Sequence, residues 1–222
     1  MDYSPFTLWI LENGVSEQIL ELLVAITLLA TIVSISRYIF GSKTYGIYAP
    51  IILAIAYSYT GLRYGLVITA IVILTTLFSY SFLRRIRMHY ITRIAINYCF
   101  LSIVLILTFL IVNRYGFGLD NMTNIPPLAV ISITALSDFF ITSYVRKRVK
   151  TSLMVLTATI LVSTIGWFVI TRNEVSSYII NNLWIIPLLI FVNLLIGQFK
   201  GLRIKDFARF SSIVNEKEND NK

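Results

Sequence analysis

Seven long uncharged stretches, separated by short charged segments, divide this chain of 222 residues. A helix needs about 20 apolar residues to cross a membrane, and every stretch reaches a spanning length once two of them extend past one charge each, Arg37 and Asp138. Their sequences, such as LVITAIVILTTLF at 66–78, are apolar on every face, which excludes the alternating strands of a membrane barrel. We predict membrane-spanning helices at 19–40, 46–62, 64–83, 94–113, 127–145, 151–171 and 178–199.

The predicted fold class is all-α: a polytopic membrane protein whose seven helices form one bundle over residues 1–210, followed by a flexible polar tail at 211–222. Hydrophobic residues make up 57% of the chain and charged residues 14%. A soluble domain of this size could not bury so much apolar surface, so the composition excludes a self-contained soluble enzyme.

The distribution of basic residues predicts how the bundle is oriented. With seven spans, only Arg63, Arg114 and Arg172 among the nineteen lysines and arginines fall on one side of the membrane. Cytoplasmic loops carry an excess of Lys and Arg, so the amino terminus is expected outside and the carboxyl terminus in the cytoplasm. The net charge of +8 then reflects topology and contact with membrane lipids rather than nucleic-acid binding.

Asp138 lies near the middle of the fifth predicted span, where an ionised carboxylate costs a few kcal/mol. It therefore faces the bundle or water, is protonated, or has a partner. One interpretation is a contact with an ion, a proton or a polar substrate. The other is a structural hydrogen bond to a polar residue on a neighbouring helix, for example Asn193, Thr157 or Thr159.

The second predicted span contains Gly46 and Pro50 near its start, so its first turns are expected to be distorted. This span is either a broken helix that lines a site or a regular helix with proline in its first turn. The seventh span carries Asn193, for which interhelical hydrogen bonding is the simpler interpretation. A candidate intramembrane polar site therefore comprises Asp138, Asn193, Pro50 and Gly46.

The sequence lacks residues that several classes of membrane enzyme require. The single histidine, His89, lies in a basic loop, which excludes a serine hydrolase with its base inside the bundle. Asp138 stands alone at its depth, whereas an aspartyl protease needs two carboxylates. The single cysteine, Cys99, lies in an apolar run and is expected to be buried and inert. We therefore predict no enzyme activity, no cofactor and no metal.

Three stretches carry a family resemblance: KTYGIYAPIILAIAYSYTGLRYG at 43–65, RRIRMHYITRIA at 84–95, and LLIGQFKGLRIKDFARF at 194–210. They resemble the seven-transmembrane domain family that is usually fused to an inactive transglutaminase-like domain. In the third stretch the family pattern falls on Gly197, Gly201, Leu202, Arg203, Arg209 and Phe210. Asp138 matches an acidic position of the family's fifth helix, while Phe139 stands where the family tends to carry arginine. The stretch at 43–47 is also faintly similar to the membrane subunit of poly-γ-glutamate capsule synthases.

The resemblance implies a stand-alone membrane subunit in the plasma membrane of a prokaryote. It would anchor a cytoplasmic ligase of the peptide-forming ATP-grasp type, or a transglutaminase-like protein, and help to retain or export its product. Apart from the resemblance, the partners considered for the chain include further copies of itself in a homo-oligomer. The alternative hypothesis is a small transporter or channel, lined by Asp138 and the distorted second helix. The candidate cytoplasmic docking residues are Arg84, Arg85, Arg87, Arg146, Arg148, Arg203 and Arg209.

Overall fold

The computed structural model describes residues 4–86, 88–115, 125–146 and 149–198. Over these ranges the chain is built from helices and connecting turns. The helices are α1 (Pro5–Glu12), α2 (Glu17–Tyr38), α3 (Tyr48–Thr60), α4 (Leu62–Leu83), α5 (Tyr90–Tyr115), α6 (Pro127–Arg146), α7 (Val149–Ile170), α8 (Asn173–Asn181) and α9 (Ile185–Gln198).

Seven of these described helices are strongly apolar. Five of them, α2, α4, α5, α6 and α7, are long and apolar enough to cross a membrane, and α3 and α9 are shorter apolar helices. In a lipid environment the helix satisfies every backbone donor and acceptor within its own segment, which explains why such apolar runs fold this way. The all-α membrane fold is confirmed. The orientation of the termini stays a prediction.

Helix α3 lies at the centre of the bundle and packs against α2, α4, α6 and α7. Its side chains Leu53, Ala54 and Tyr57 are almost completely buried. Helices α5 and α9 lie at the periphery: α5 packs mainly on α4, and α9 packs on α2. Their outer faces expose aliphatic side chains such as Ile106 and Leu194, as expected of surfaces that contact lipid.

A single residue, Gly61, connects α3 to α4. Its φ of +75° lies in the left-handed region, which side chains other than glycine rarely adopt. The turn folds α4 back against α3, so that Gly65 lies under the ring of Tyr57. The Tyr57 hydroxyl lies 3.0 Å from Thr69 Oγ1, and Thr69 Oγ1 donates to the Gly65 carbonyl oxygen at 2.8 Å.

A second close contact joins α7 to α2 and α3 at Gly166. A β-carbon at this position would lie 3.3 Å from the Ala54 β-carbon and would collide with the Leu29 side chain. Small residues let membrane helices approach closely, and van der Waals packing drives their association. Gly166 therefore allows the three helices to converge at this level.

The seventh predicted span is not one continuous helix. Helix α8 ends at Asn181 and α9 begins at Ile185. Asn182 caps the carboxyl end of α8, with its side-chain amide donating to the Tyr178 carbonyl oxygen at 2.9 Å. Pro187 has no backbone N–H to give to a preceding turn, so it fits the first turn of a new helix and not the interior of a longer one.

Helix α1 was not predicted from the sequence. Its local signal is the Ser4-Pro5 start: the Ser4 hydroxyl accepts a hydrogen bond from the Thr7 amide at 3.3 Å, and proline occupies the first helical position. Thr7 is fully buried, and its hydroxyl donates to the Ile180 carbonyl oxygen of α8 at 2.7 Å. This bond holds α1 and α8 together at the end of the bundle where α2 begins.

Candidate functional site

Asp138 is half-buried in α6 and has a partner that the sequence analysis did not name. The Tyr98 hydroxyl of α5 donates to Asp138 Oδ2 at 2.9 Å. The predicted partners Asn193, Thr157 and Thr159 are wrong, because their side chains bond elsewhere. Asp138 Oδ1 is buried and makes no hydrogen bond within the described residues.

A second polar pair lies beside the first at the interface of α5 and α6. The Asn97 amide donates to Ser137 Oγ at 3.4 Å, and only 1% of the Asn97 surface is exposed. Asn97 Oδ1 is also buried without a partner in the described residues. Because an unpaired polar atom in an apolar medium is costly, this interface favours a water molecule or another hydrogen-bond donor at these two oxygens.

Tyr98 and Asn97 are functional candidates that sequence reasoning missed. They are consecutive polar residues inside the fourth apolar run, and this interruption is the signal that could have found them. Their partners could not be derived from it. A run that is apolar on all sides gives no direction in which a polar side chain must point.

Asn193 and Asp138 make their hydrogen bonds to different helices and share no partner among the described residues. Its amide on α9 donates to Thr31 Oγ1 of α2 at 2.8 Å and to the Leu189 carbonyl oxygen at 2.9 Å. This is an interhelical contact of the structural kind, and it joins the two helices across 162 positions of sequence. The structure therefore does not bring the candidate polar residues Asp138 and Asn193 together.

The start of the second span is distorted before α3 begins. Gly46 has a φ of +64°, while Pro50 is buried in the first turn of α3, where its missing N–H has no intrahelical partner to lose. Tyr45 anchors the segment to α7: its N–H donates to Thr159 Oγ1 at 3.1 Å, and its hydroxyl donates to the Ser152 carbonyl oxygen at 2.9 Å. Helix α3 itself runs without a break.

The candidate docking residues are described only in part. Arg84 and Arg85 are exposed just after the end of α4. Arg146 is the last residue of α6, and its side chain lies outside the described part of the chain. The remaining candidates also lie outside the described residues: Arg87, Arg148, Arg203 and Arg209.

Other side chains do not add a chemical centre where the structure is described. No group of three or more His, Cys, Asp or Glu residues is placed to hold a metal ion within those ranges. The expectation that Cys99 is buried is wrong, because its side chain is exposed on α5. Helix α5 packs mainly on α4, and residue 99 lies on the side that this contact leaves open.

Comparison with known proteins identifies the bundle. No curated protein and no solved structure matches the chain. Residues 1–214 match the sequence model of a family described as seven transmembrane helices usually fused to an inactive transglutaminase. The match spans nearly the whole chain and agrees with the seven apolar helices described above. The chain is an integral membrane protein and belongs to this family of seven-transmembrane, transglutaminase-associated domains.

Proposed function

We propose that the chain is a non-catalytic membrane subunit that anchors a partner protein on the cytoplasmic side of a prokaryotic plasma membrane. The partner is a transglutaminase-like protein or a peptide-forming ligase of the ATP-grasp type, and the bundle helps to retain or export its product. The observation that carries the proposal is the family match over residues 1–214, because these domains usually accompany an inactive transglutaminase.

Dense packing at the centre of the bundle supports an anchoring role. Leu53, Ala54 and Tyr57 of α3 are almost completely buried, and Gly65 and Gly166 bring neighbouring helices against them. A conduit needs polar groups along a hydrated path, whereas this centre is filled with closely packed side chains. The packing therefore favours a rigid support for a partner over a pathway through the middle of the bundle.

The first experiment is co-purification of the tagged protein from its native membranes in mild detergent, with partners identified by mass spectrometry. We expect a stoichiometric transglutaminase-like protein or ligase. Reversing the exposed Arg84 and Arg85 to Glu, together with Arg203 and Arg209, should release that partner while membrane insertion is preserved. A homo-oligomer without any partner would contradict the proposal.

A matched control is Arg63→Glu, which reverses an exposed charge at the start of α4, on the side predicted to face outward. This variant should keep the partner, and its topology should be unchanged because it removes a positive charge from the outer side. Loss of the partner in both sets of variants would show that the charge reversals act through the fold. Retention in both would remove the arginines from the interface.

A second candidate function is transport past Asp138. It is favoured by two buried oxygens at the interface of α5 and α6, Asp138 Oδ1 and Asn97 Oδ1, which have no partner in the described part of the chain. This hypothesis requires a pH-dependent flux in liposomes that Asp138→Asn abolishes without unfolding the protein. Asn193→Leu, at the contact of α9 with α2, serves as the control and should leave the flux intact. An unchanged flux in Asp138→Asn would eliminate this candidate.

A further inference from the structure

A groove of about 410 Å³ lies on the outer face of α4, at the end of this helix that leads to α5. Within the described part of the chain its lining residues are related by steps of three or four positions: Phe78, Ser81, Phe82, Arg85 and Ile86. Residues at this spacing share one face of a helix. Phe78 and Phe82 are 67% and 59% exposed, so this face is turned away from the interior of the bundle.

The lining changes from aromatic to cationic along the axis of α4. Phe78 and Phe82 lie in the last two turns of the helix, and Arg85 follows its end. The helical turn continues past that end, since the Ile86 amide donates to the Leu83 carbonyl oxygen at 3.1 Å. Arg85 can therefore line the same face as the two rings. The rise from Phe78 to Arg85 is about 10 Å at 1.5 Å per residue.

Helix α5 supports the aromatic part of the groove. The ring of Phe100 packs edge-on against Phe78, with 6.5 Å between the ring centroids, and against Phe82, with 6.4 Å. Edge-to-face contacts at such distances are favourable aromatic pairs. The two exposed rings are therefore held in place from one side, and their outer surfaces are available to a ligand in the membrane.

The end of α4 is expected to lie at the depth of the lipid headgroups. Leu62–Leu83 is long and apolar enough to cross a membrane, and its 22 residues rise about 33 Å. The hydrocarbon core of a bilayer is about 30 Å thick, so both ends of α4 reach its boundaries. Arg85, two residues past the helix end, then lies beside the lipid phosphates, and Phe78 and Phe82 lie beside the acyl chains.

The charge at the groove is positive. Residues 22–119 contain no aspartate or glutamate, so neither α4 nor α5 supplies a carboxylate to Arg85. The nearby cation of α5, Arg93, holds its guanidinium over the Tyr80 ring, 5.7 Å from the centroid, and does not line the groove. Arg84 is exposed and also lies outside the lining. Because a guanidinium group can pair with a phosphate through two parallel hydrogen bonds, Arg85 suits a phosphate ligand.

We propose that this groove binds an anionic phospholipid of the phosphatidylglycerol class, with the phosphate at Arg85 and one acyl chain against Phe78 and Phe82. The Ser81 hydroxyl lies between them, at the depth of the glycerol esters. In a zwitterionic lipid the ammonium group competes with Arg85 for the phosphate, so a lipid with a net negative charge is preferred. This defined site goes beyond the general attraction between basic loops and lipid, and it does not depend on the proposed partner.

The test uses the full chain reconstituted into nanodiscs with equal amounts of phosphatidylglycerol and phosphatidylethanolamine, without any partner protein. Lipid that remains bound after extraction into mild detergent is identified by native mass spectrometry. We expect the wild type to retain phosphatidylglycerol in preference. Arg85→Gln should lower this retention about fivefold, the effect of one basic residue near an anionic surface. Arg84→Gln removes the same charge one position away, outside the groove, and is the matched control that should retain phosphatidylglycerol.

A second pair of variants tests the shape of the groove separately from its charge. Ser81→Trp fills the space between the rings and Arg85 and should also reduce retention of phosphatidylglycerol. Ala70→Trp is the matched control: it lies about three turns earlier on an exposed position of the same face of α4 and should retain the lipid. Ser81 and Arg85 are exposed, so their variants are expected to fold, as checked by the melting temperature. Arg85→Gln decides the matter if Ser81→Trp does not fold.

Three results would overturn the proposal. Equal losses in Arg85→Gln and Arg84→Gln would show a diffuse attraction to basic residues instead of a site. Full retention in Ser81→Trp would place the lipid elsewhere on the protein. Equal retention of the two lipids by the wild type would remove the lipid from the groove and leave Arg85 to the proposed partner, whose capture is measured separately by co-purification.

Discussion

Substitution of Gly65 by alanine tests the packing at the centre of the bundle. A β-carbon at this position would lie 2.8 Å from Thr60 Oγ1 and would collide with the ring of Tyr57. Tyr57 is fully buried, and its hydroxyl lies 3.0 Å from Thr69 Oγ1, so the ring cannot move away without breaking that hydrogen bond. We expect Gly65→Ala to lower the free energy of unfolding.

The size of the effect follows from two opposing contributions. Replacing glycine by alanine inside a helix stabilises it by up to about 1 kcal/mol. Forcing an additional methyl group into a closely packed interior costs about 1–3 kcal/mol. Displacement of Tyr57 would also weaken its bond to Thr69, a further 0.6 kcal/mol or so for a hydrogen bond between membrane helices. The expected net loss is about 2 kcal/mol.

The assay is unfolding of the purified protein in mixed micelles, followed by tryptophan fluorescence as the fraction of denaturing detergent increases. Gly197→Ala on α9 is the matched control, because nothing lies within 4 Å of the β-carbon it adds. It should be neutral or slightly stabilising. In a Tyr57→Ala background the loss caused by Gly65→Ala should shrink. Equal stability changes for Gly65→Ala and Gly197→Ala would refute the packing argument.

Three further substitutions probe the hydrogen bonds between helices. Asn193→Leu should cost about 0.6 kcal/mol and at most about 1.7 kcal/mol; a double-mutant cycle with Thr31→Val should show coupling, and strictly additive losses would contradict the contact. Tyr98→Phe removes the one hydrogen bond that the described residues give to Asp138 and should cost roughly 1–3 kcal/mol; the same loss in an Asp138→Leu background would show that the pair does not interact. Thr7→Val should accelerate amide hydrogen exchange throughout Pro5–Glu12 but not in α2, and unchanged exchange in α1 would argue against its bond to α8.

The membrane-spanning helices could be predicted because lipid leaves the backbone few alternatives. A run of about 20 apolar residues must satisfy its own donors and acceptors, so helix is the outcome wherever such a run occurs. The prediction was less accurate where capping residues and proline determine the ends of a helix. The polar segment before Pro187 forms a separate helix, α8, and the Ser4-Pro5 start produces α1, because capping and proline geometry act over single turns.

The sequence indicated that polar side chains would bond between helices, but it did not indicate which residues would be the partners. One of the interpretations of Asp138 was a hydrogen bond to a neighbouring helix, and it has one, but the partner is Tyr98 rather than the residues named from the sequence. Asn193 was expected to join two helices, and it contacts Thr31. Which helices meet depends on which face each helix turns toward its neighbours, and close packing at residues such as Gly166 decides this. A uniformly apolar sequence has no pattern that shows which face that is.

The contact between α2 and α9 has a consequence for biosynthesis. Its two partners are separated by 162 positions, so the ribosome needs roughly 10–30 s to deliver the second after the first, at about 5–20 residues per second. During this interval the Thr31 hydroxyl is not left unsatisfied, because it donates to the Thr27 carbonyl oxygen one turn earlier, at 3.0 Å. Asn193 likewise donates to a carbonyl oxygen of its own helix. Each helix can therefore enter the bilayer as an independent unit, and α2 and α9 can associate later within the membrane.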